Sequence, residues 1–234
     1  HLGILLGQKK RFDLAKPLLQ KAIKIQPNNA IIHNNLGNML GELEEYQKAI
    51  NSYEKAIQIQ PNYLDAYYNL GLVLQKLGEH KKAINSYEKA IEIQPNYAMA
   101  HNNLGLVLQK IEENQKAINS YEKAIEIQPN YAMAHNNLGL VLQKLGEHKK
   151  AINSYEKAIE IQPNYAMAHN NLGILFQDLG ENQKAKNFYK MAAKHDPQNL
   201  FYLYLLCRID EKILDSNLKK KICKIIEKNS CTKK

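Results

Sequence analysis

Residues 98–131 read AMAHNNLGLVLQKIEENQKAINSYEKAIEIQPNY, and this stretch decides the fold. Apolar Ala100, Leu104, Val107, Leu108 and Ile111 recur at a 3.6-residue period. After a short polar break Ala117, Ile118, Tyr121, Ala124, Ile125 and Ile127 do the same, so the stretch predicts two amphipathic helices. Pro129 stops the second helix, because proline cannot continue a helix and disfavours helical geometry in the residue before it. Gly105 and Ala117 are small where the two helices must cross closely, and Ala124 is small where a following unit would dock.

Outward from this stretch the same reading repeats. Pro27, Pro61, Pro95, Pro129, Pro163 and Pro197 each stand 34 residues after the last, and Asn69–Gly105 recurs without a change as Asn137–Gly173. The chain is therefore expected to be all-α, an array of antiparallel helix pairs. Its predicted units are a truncated first at 1–29, full units at 30–63, 64–97, 98–131, 132–165 and 166–199, and degenerate capping helices over 200–234. Such units bury apolar surface only against neighbours, and five full ones exceed the three such arrays need. Gly78, Gly146 and Gly180 fall between the paired helices, where a left-handed residue ends a helix cheaply.

The net charge of +9 is not spread along the array. Residues 1–29 carry six Lys/Arg against one acid, and 200–234 carry nine against four, which leaves the repeats one charge negative. A nucleic-acid binder needs a basic stripe along its contact surface, so this distribution argues against that class. Cys207, Cys223 and Cys231 are odd in number and lack metal-ligand spacing, which reads as reduced thiols and no metal. The longest apolar run, Leu200–Cys207, is far short of the ~20 residues of a membrane span, and no signal peptide opens the chain. A soluble, cytoplasmic protein is expected, with neither a membrane nor a cofactor as partner. The chain starts inside a unit without Met, which reads as a piece of something longer.

Leu104-Gly105, Leu108, Ala117, Tyr121, Ala124 and Pro129 fall in order on the tetratricopeptide repeat pattern at its 34-residue period, and the chain resembles that family over residues 1–199. The resemblance implies a right-handed superhelical solenoid and a protein-binding role. One departure is that His33, His101, His135 and His169 replace the pattern's early large aromatic, which Tyr67 keeps; a half-buried imidazole can fill that place. The units look most like those of O-linked N-acetylglucosamine transferases and of bacterial proteins in which such repeats precede a sulfotransferase domain. That likeness implies, as an alternative, the substrate-recruiting arm of a larger transferase.

At 100° per residue, Met99, Asn103, Leu106 and Lys110 lie within an arc of about 60°, away from the packed residues of their helix. Equivalent stripes are Ile31, Asn35, Asn38 and Glu42; Asp65, Asn69, Leu72 and Lys76; Met133, Asn137, Leu140 and Lys144; and Met167, Asn171, Ile174 and Asp178. The resemblance implies that these first helices line a concave surface. Asn35, Asn69, Asn103, Asn137 and Asn171 then form a column whose amides can both donate to and accept from an extended peptide backbone; in the transferases that these units resemble, an Asn ladder at this place grips polypeptide. Leu72, Leu106, Leu140 and Ile174 add an apolar row, and Met99, Met133 and Met167 add adaptable contacts. Lys76, Lys110 and Lys144 favour carboxylates. The expected partner is an extended, partly apolar, mildly acidic peptide.

No catalytic constellation stands out. Residues copied once per unit, the histidines included, stand a unit apart and cannot build the single asymmetric site that catalysis needs, so the chain reads as non-enzymatic. Tyr53, Tyr87, Tyr121, Tyr155 and Tyr189 read as core, and His80 and His148 as solvated turn residues. After Asn199 one helix is expected on Leu203, Leu206, Ile209 and Ile213, then a basic one capped by Ser216. At the other end Leu2, Ile4, Leu5 and Leu6 lack an upstream neighbour, which predicts self-association into a homo-oligomer.

Overall fold

The computed structural model describes residues 12–209, and every ordered element within them is an α-helix. The chain divides between Gln128 and Pro129 into two compact units. The first contains α1 (Phe12–Ile25), α2 (Ala30–Glu42), α3 (Tyr46–Ile59), α4 (Leu64–Lys76), α5 (His80–Ile93), α6 (Ala98–Lys110) and α7 (Asn114–Ile127). The second contains α8 (Ala132–Lys144), α9 (His148–Ile161), α10 (Ala166–Asp178), α11 (Asn182–His195) and α12 (Leu200–Ile209). Each helix packs on the next within its unit, and alternate helices touch as well: α2 on α4, α4 on α6, and α8 on α10.

Inside each pair one tyrosine fixes the crossing. A Cβ added to Gly105 of α6 would lie 2.6 Å from the Tyr121 ring of α7, and Gly37, Gly71, Gly139 and Gly173 meet their tyrosines in the same way. The aromatic ring therefore rests on bare backbone. Its hydroxyl donates to a glutamine of the paired helix, Tyr87 to Gln75, Tyr121 to Gln109, Tyr155 to Gln143 and Tyr189 to Gln177, at 2.7–3.0 Å. In the pair α2–α3, Gly41 stands where that glutamine would be, and Tyr53 donates to Asn38 instead. Burial pushes all these phenols up, that of Tyr189 to about 12, so they remain hydrogen-bond donors. Ala83, Ala117, Ala151 and Ala90, Ala124, Ala158 are fully enclosed, as close helix crossings require.

The turns within pairs take a left-handed residue after a helix C-terminus. Gly78, Gly146 and Gly180 have φ of 76°, 77° and 79°, while Glu44 and Glu112 occupy the equivalent places at 59° and 65°. The histidines explain the missing aromatic. Nε2 of His33, His101, His135 and His169 lies 2.9–3.0 Å from the carbonyl of Pro27, Pro95, Pro129 and Pro163 respectively. A carbonyl can only accept, so Nε2 carries the hydrogen and ties each first helix to the loop before it. Two turn expectations are corrected. His80 is the first residue of α5, half-buried with Nδ1 enclosed and unpartnered, and His148 is the first residue of α9, exposed; both backbones are already helical because Glu79 and Glu147 occupy the N-cap positions.

Past Asn199, α12 buries Leu203 and Leu206, with Ile209 half-buried. Ile213, the helix predicted from Ser216, the side chain of Cys207, and Cys223 and Cys231 lie outside the described residues, as do Leu2, Ile4, Leu5 and Leu6.

Candidate functional site

The five predicted stripes fall on α2, α4, α6, α8 and α10, one on each first helix of a pair. Met99, Met133 and Met167 are 42%, 46% and 48% exposed and Ile31 54%, values that leave more than a third of each apolar side chain in water. Leu72, Leu106, Leu140 and Ile174 are half-buried, so their row is shallower than an uncovered helix face would be. Lys76, Lys110 and Lys144 are exposed at the far end of the stripe, with Lys76 5.8 Å from the centre of the Tyr46 ring.

The asparagine column departs from an open surface. Asn69 Nδ2 donates to Asn34 Oδ1 at 3.2 Å, Asn103 Nδ2 to the Tyr68 hydroxyl at 3.0 Å, and Asn171 Nδ2 to Asn136 Oδ1 at 2.9 Å. Each bond spans 35 residues, one more than the repeat, and joins the first helices of successive pairs. Within three of the four doublets the first asparagine donates to the second: Asn102 to Asn103, Asn136 to Asn137 and Asn170 to Asn171. Asn137 and Asn171 are buried, whereas Asn35, Asn69 and Asn103 are half-buried and reachable. The physical reason is that a polar row between closely packed helices must satisfy itself before it can serve a ligand. An asparagine offers two N–H groups and two lone pairs, so a rung that uses one of each keeps a donor and an acceptor.

The column was legible in the sequence, but its partners were not. The acceptors are the first asparagines of the doublets and Tyr68, which stands where α6, α8 and α10 carry an asparagine. The signal available was the Asn-Asn doublet itself, recurring in four of the five stripes.

Charge separates the two kinds of helix. On the second helices four lysines of α5 and α7 are paired locally, Lys82–Glu79, Lys89–Glu92, Lys116–Glu113 and Lys123–Glu126, each three residues apart, while Lys55 of α3 donates to the neutral Gln58. Lys76 and Lys110 on the first helices have no carboxylate at ion-pair distance among the described residues. In the second unit the corresponding end of α10 is acidic, where Asp178 accepts from Gln143 at 3.4 Å. An open cleft of about 460 Å³ lies on a different side, between α5 and α7, where Glu92 and Lys123 are already ion-paired with residues of their own helices.

Among the described residues no cluster of three His, Cys, Asp or Glu could hold a metal ion, and no helix is long and apolar enough to cross a membrane.

A family model described as tetratricopeptide repeat matches residues 1–62, 28–96, 62–130, 96–164 and 130–198. Among solved structures, that of MamA is 31% identical, covering 70% of this chain and 95% of that one with a TM-score of 0.64. The structure of YrrB, described as a TPR protein with an unusual peptide-binding site, is 26% identical and covers 80% of this chain and 96% of that one, TM-score 0.63. The pilF protein of Pseudomonas aeruginosa, 24% identical over 82% of this chain and 88% of its own, superposes with a TM-score of 0.71 and shares the fold. No curated protein matches the chain.

Proposed function

We propose, because this chain belongs to the tetratricopeptide repeat family, that it is a non-catalytic protein-interaction scaffold of the cytoplasm that takes an extended peptide along its first helices. One observation carries this reading: in the first unit the exposed Met99, the half-buried Leu72 and Leu106, and Lys76 and Lys110, which have no carboxylate partner, fall on the first-helix stripes, while Lys82, Lys89, Lys116 and Lys123 of the second helices each meet a glutamate three residues away. Exposed apolar side chains beside unneutralised charge favour a partner that supplies both kinds of contact. Each unit contributes a peptide-binding face of its own, Asn35, Asn69, Asn103, Leu72, Leu106, Met99, Lys76 and Lys110 in the first, and Asn137, Asn171, Leu140, Ile174, Met133, Met167 and Lys144 in the second. Weight shifts from the asparagines, which are partly spent on rungs, to the apolar and basic rows. A peptide-binding site in YrrB, a neighbour that shares this fold, supports the assignment.

The test is selection from a random peptide library, followed by binding to Met99→Glu/Lys110→Glu. Both side chains are exposed, so the variant should keep its helical circular dichroism and lose the selected peptides. Undiminished binding would remove the site from this face. The alternative of a transferase arm rests on the sequence resemblance, and the gene downstream of Lys234 decides it.

A further inference from the structure

The rungs measure the array. Two asparagine side chains, each reaching about 3.6 Å from its Cα, can share a hydrogen bond only if those Cα atoms lie within about 10 Å. The Asn69–Asn34 bond of 3.2 Å therefore sets an upper limit on the advance from α2 to α4, and the Asn103–Tyr68 bond of 3.0 Å keeps α6 against α4. Packed helices approach no closer than about 8 Å, which puts the α2 and α4 stripes ~8–10 Å apart; Tyr68 carries its hydroxyl about 6.5 Å from its Cα, so its bond to Asn103 holds the α4 and α6 stripes between about 8 and 13 Å apart.

A ligand that meets the same leucine and lysine on α4 and on α6, where α2 has Asn38 and Glu42 instead, must repeat with the step between those two stripes. A β-strand returns a side chain to one face every two residues, about 6.8 Å, and its third residue faces the opposite way. A polyproline II helix has three residues per turn at about 3.1 Å each, so it returns the same edge every ~9.3 Å. Only the second matches. This conformation makes no internal hydrogen bonds, so its carbonyls need outside donors, and Asn69 and Asn103 each retain one N–H after their rung.

Charge assigns the edges. Lys76 and Lys110 recur at the same stripe position without carboxylate partners, while the exposed Asp65 lies at the opposite end of α4, about 16 Å from Lys76 along the axis. Leu72 and Leu106 lie one helical turn from the lysines.

Resting on the reading of this face as a peptide site, we infer that its ligand is a peptide in the polyproline II conformation, with an acidic side chain at every third residue and an apolar one beside it. The acidic edge faces Lys76 and Lys110, the apolar edge faces Leu72, Leu106 and Met99, and the third faces solvent.

The experiment measures fluorescence anisotropy of labelled peptides with the full chain. One peptide holds four Glu-Leu-Pro triplets; a second has the same composition with the three-residue spacing destroyed. The expected result is at least tenfold tighter binding of the triplet peptide, and a tenfold or greater loss on Lys76→Glu/Lys110→Glu with helical circular dichroism unchanged. Equal affinity for the two peptides would overturn the three-residue register. If neither peptide binds but library-selected peptides do, the polyproline II ligand is wrong and the scaffold reading stands; if no peptide of any kind binds, both fail.

Discussion

The pair α8–α9 and the pair α10–α11 share the same rules of crossing yet differ in how they end. In both, a tyrosine rests on a glycine, Tyr155 on Gly139 and Tyr189 on Gly173, and its hydroxyl meets a glutamine. In α8, Asn136 accepts a rung from Asn171. In α10, Asn170 is 4% exposed and its Oδ1 has no partner, because Leu205, itself 5% exposed, stands where the next donor would be, 35 residues on. The last pair also replaces interior residues. Phe176, Phe188 and His195 occupy the places of Leu142, Ser154 and Ile161, with Phe176 and Phe188 stacked at 5.5 Å and His169 and His195 at 5.4 Å. A copied unit solves its polar problem through its neighbour. The last one, whose next helix brings a leucine, carries stacked aromatic rings of its own and leaves one side-chain carbonyl unmet.

The strongest challenge to this contrast lies in what the two pairs share. Gly139→Ala and Gly173→Ala should each cost about 1–3 kcal/mol by forcing Tyr155 or Tyr189 off its seat, read as a loss in urea midpoint. A distinctly smaller cost at Gly173 would show that the last pair is loose rather than differently packed. Next, Asn136→Leu strands the buried Asn171 amide and should cost about 1–3 kcal/mol, whereas Asn170→Leu removes an orphaned carbonyl along with a long 3.5 Å donation to Asn171 and should cost distinctly less. Equal losses would mean that the rung chemistry is not what separates the pairs.

Acid provides a third probe. Burial foremost, with His195 adding to it against the bond to the Pro163 carbonyl, holds the His169 imidazole below the usual histidine range. The folded state then binds fewer protons than the unfolded chain, so this contribution is complete above the unfolded value of about 6.5 and is lost as pH falls below it. Hydrogen exchange in α10–α12, corrected for intrinsic rates, should quicken from about pH 7.5 to 5.5, and His195→Ile should blunt the change. An unchanged profile would remove the histidine stack from the account. The smallest effect belongs to a turn: Gly146, with open space around its Cβ position and φ of 77°, should lose about 1 kcal/mol on conversion to alanine, from backbone strain alone. A neutral result would imply that the turn relaxes as the Glu44 and Glu112 turns do.

Helix existence, pairing and the close crossing at Gly105 were legible because they follow from apolar period and residue size within 34 positions, whereas the seating of the Tyr121 ring on that glycine came only from the structure. The rungs were not, since the partner of Asn171 lies one residue outside the period and on another helix. The loop bond that gives the histidines their place was hidden for a related reason: spacing shows where an imidazole stands but not that its Nε2 meets the Pro163 carbonyl. Exposure of Met99, Met133 and Met167 followed from helical angle, while the depth of Asn137 and Asn171 depended on how closely neighbouring helices approach.

The tyrosine crossings and rungs join each helix only to near neighbours, and that has a genetic consequence. Residues 69–105 and 137–173 encode the same peptide, so recombination between them would delete or duplicate 68 residues in frame. The excised product would bring α10 against α5, whose residues are identical to those of its present neighbour α9, and would need no new surface chemistry. Array length is thus free to drift between lineages in whole steps while each joint is inherited intact.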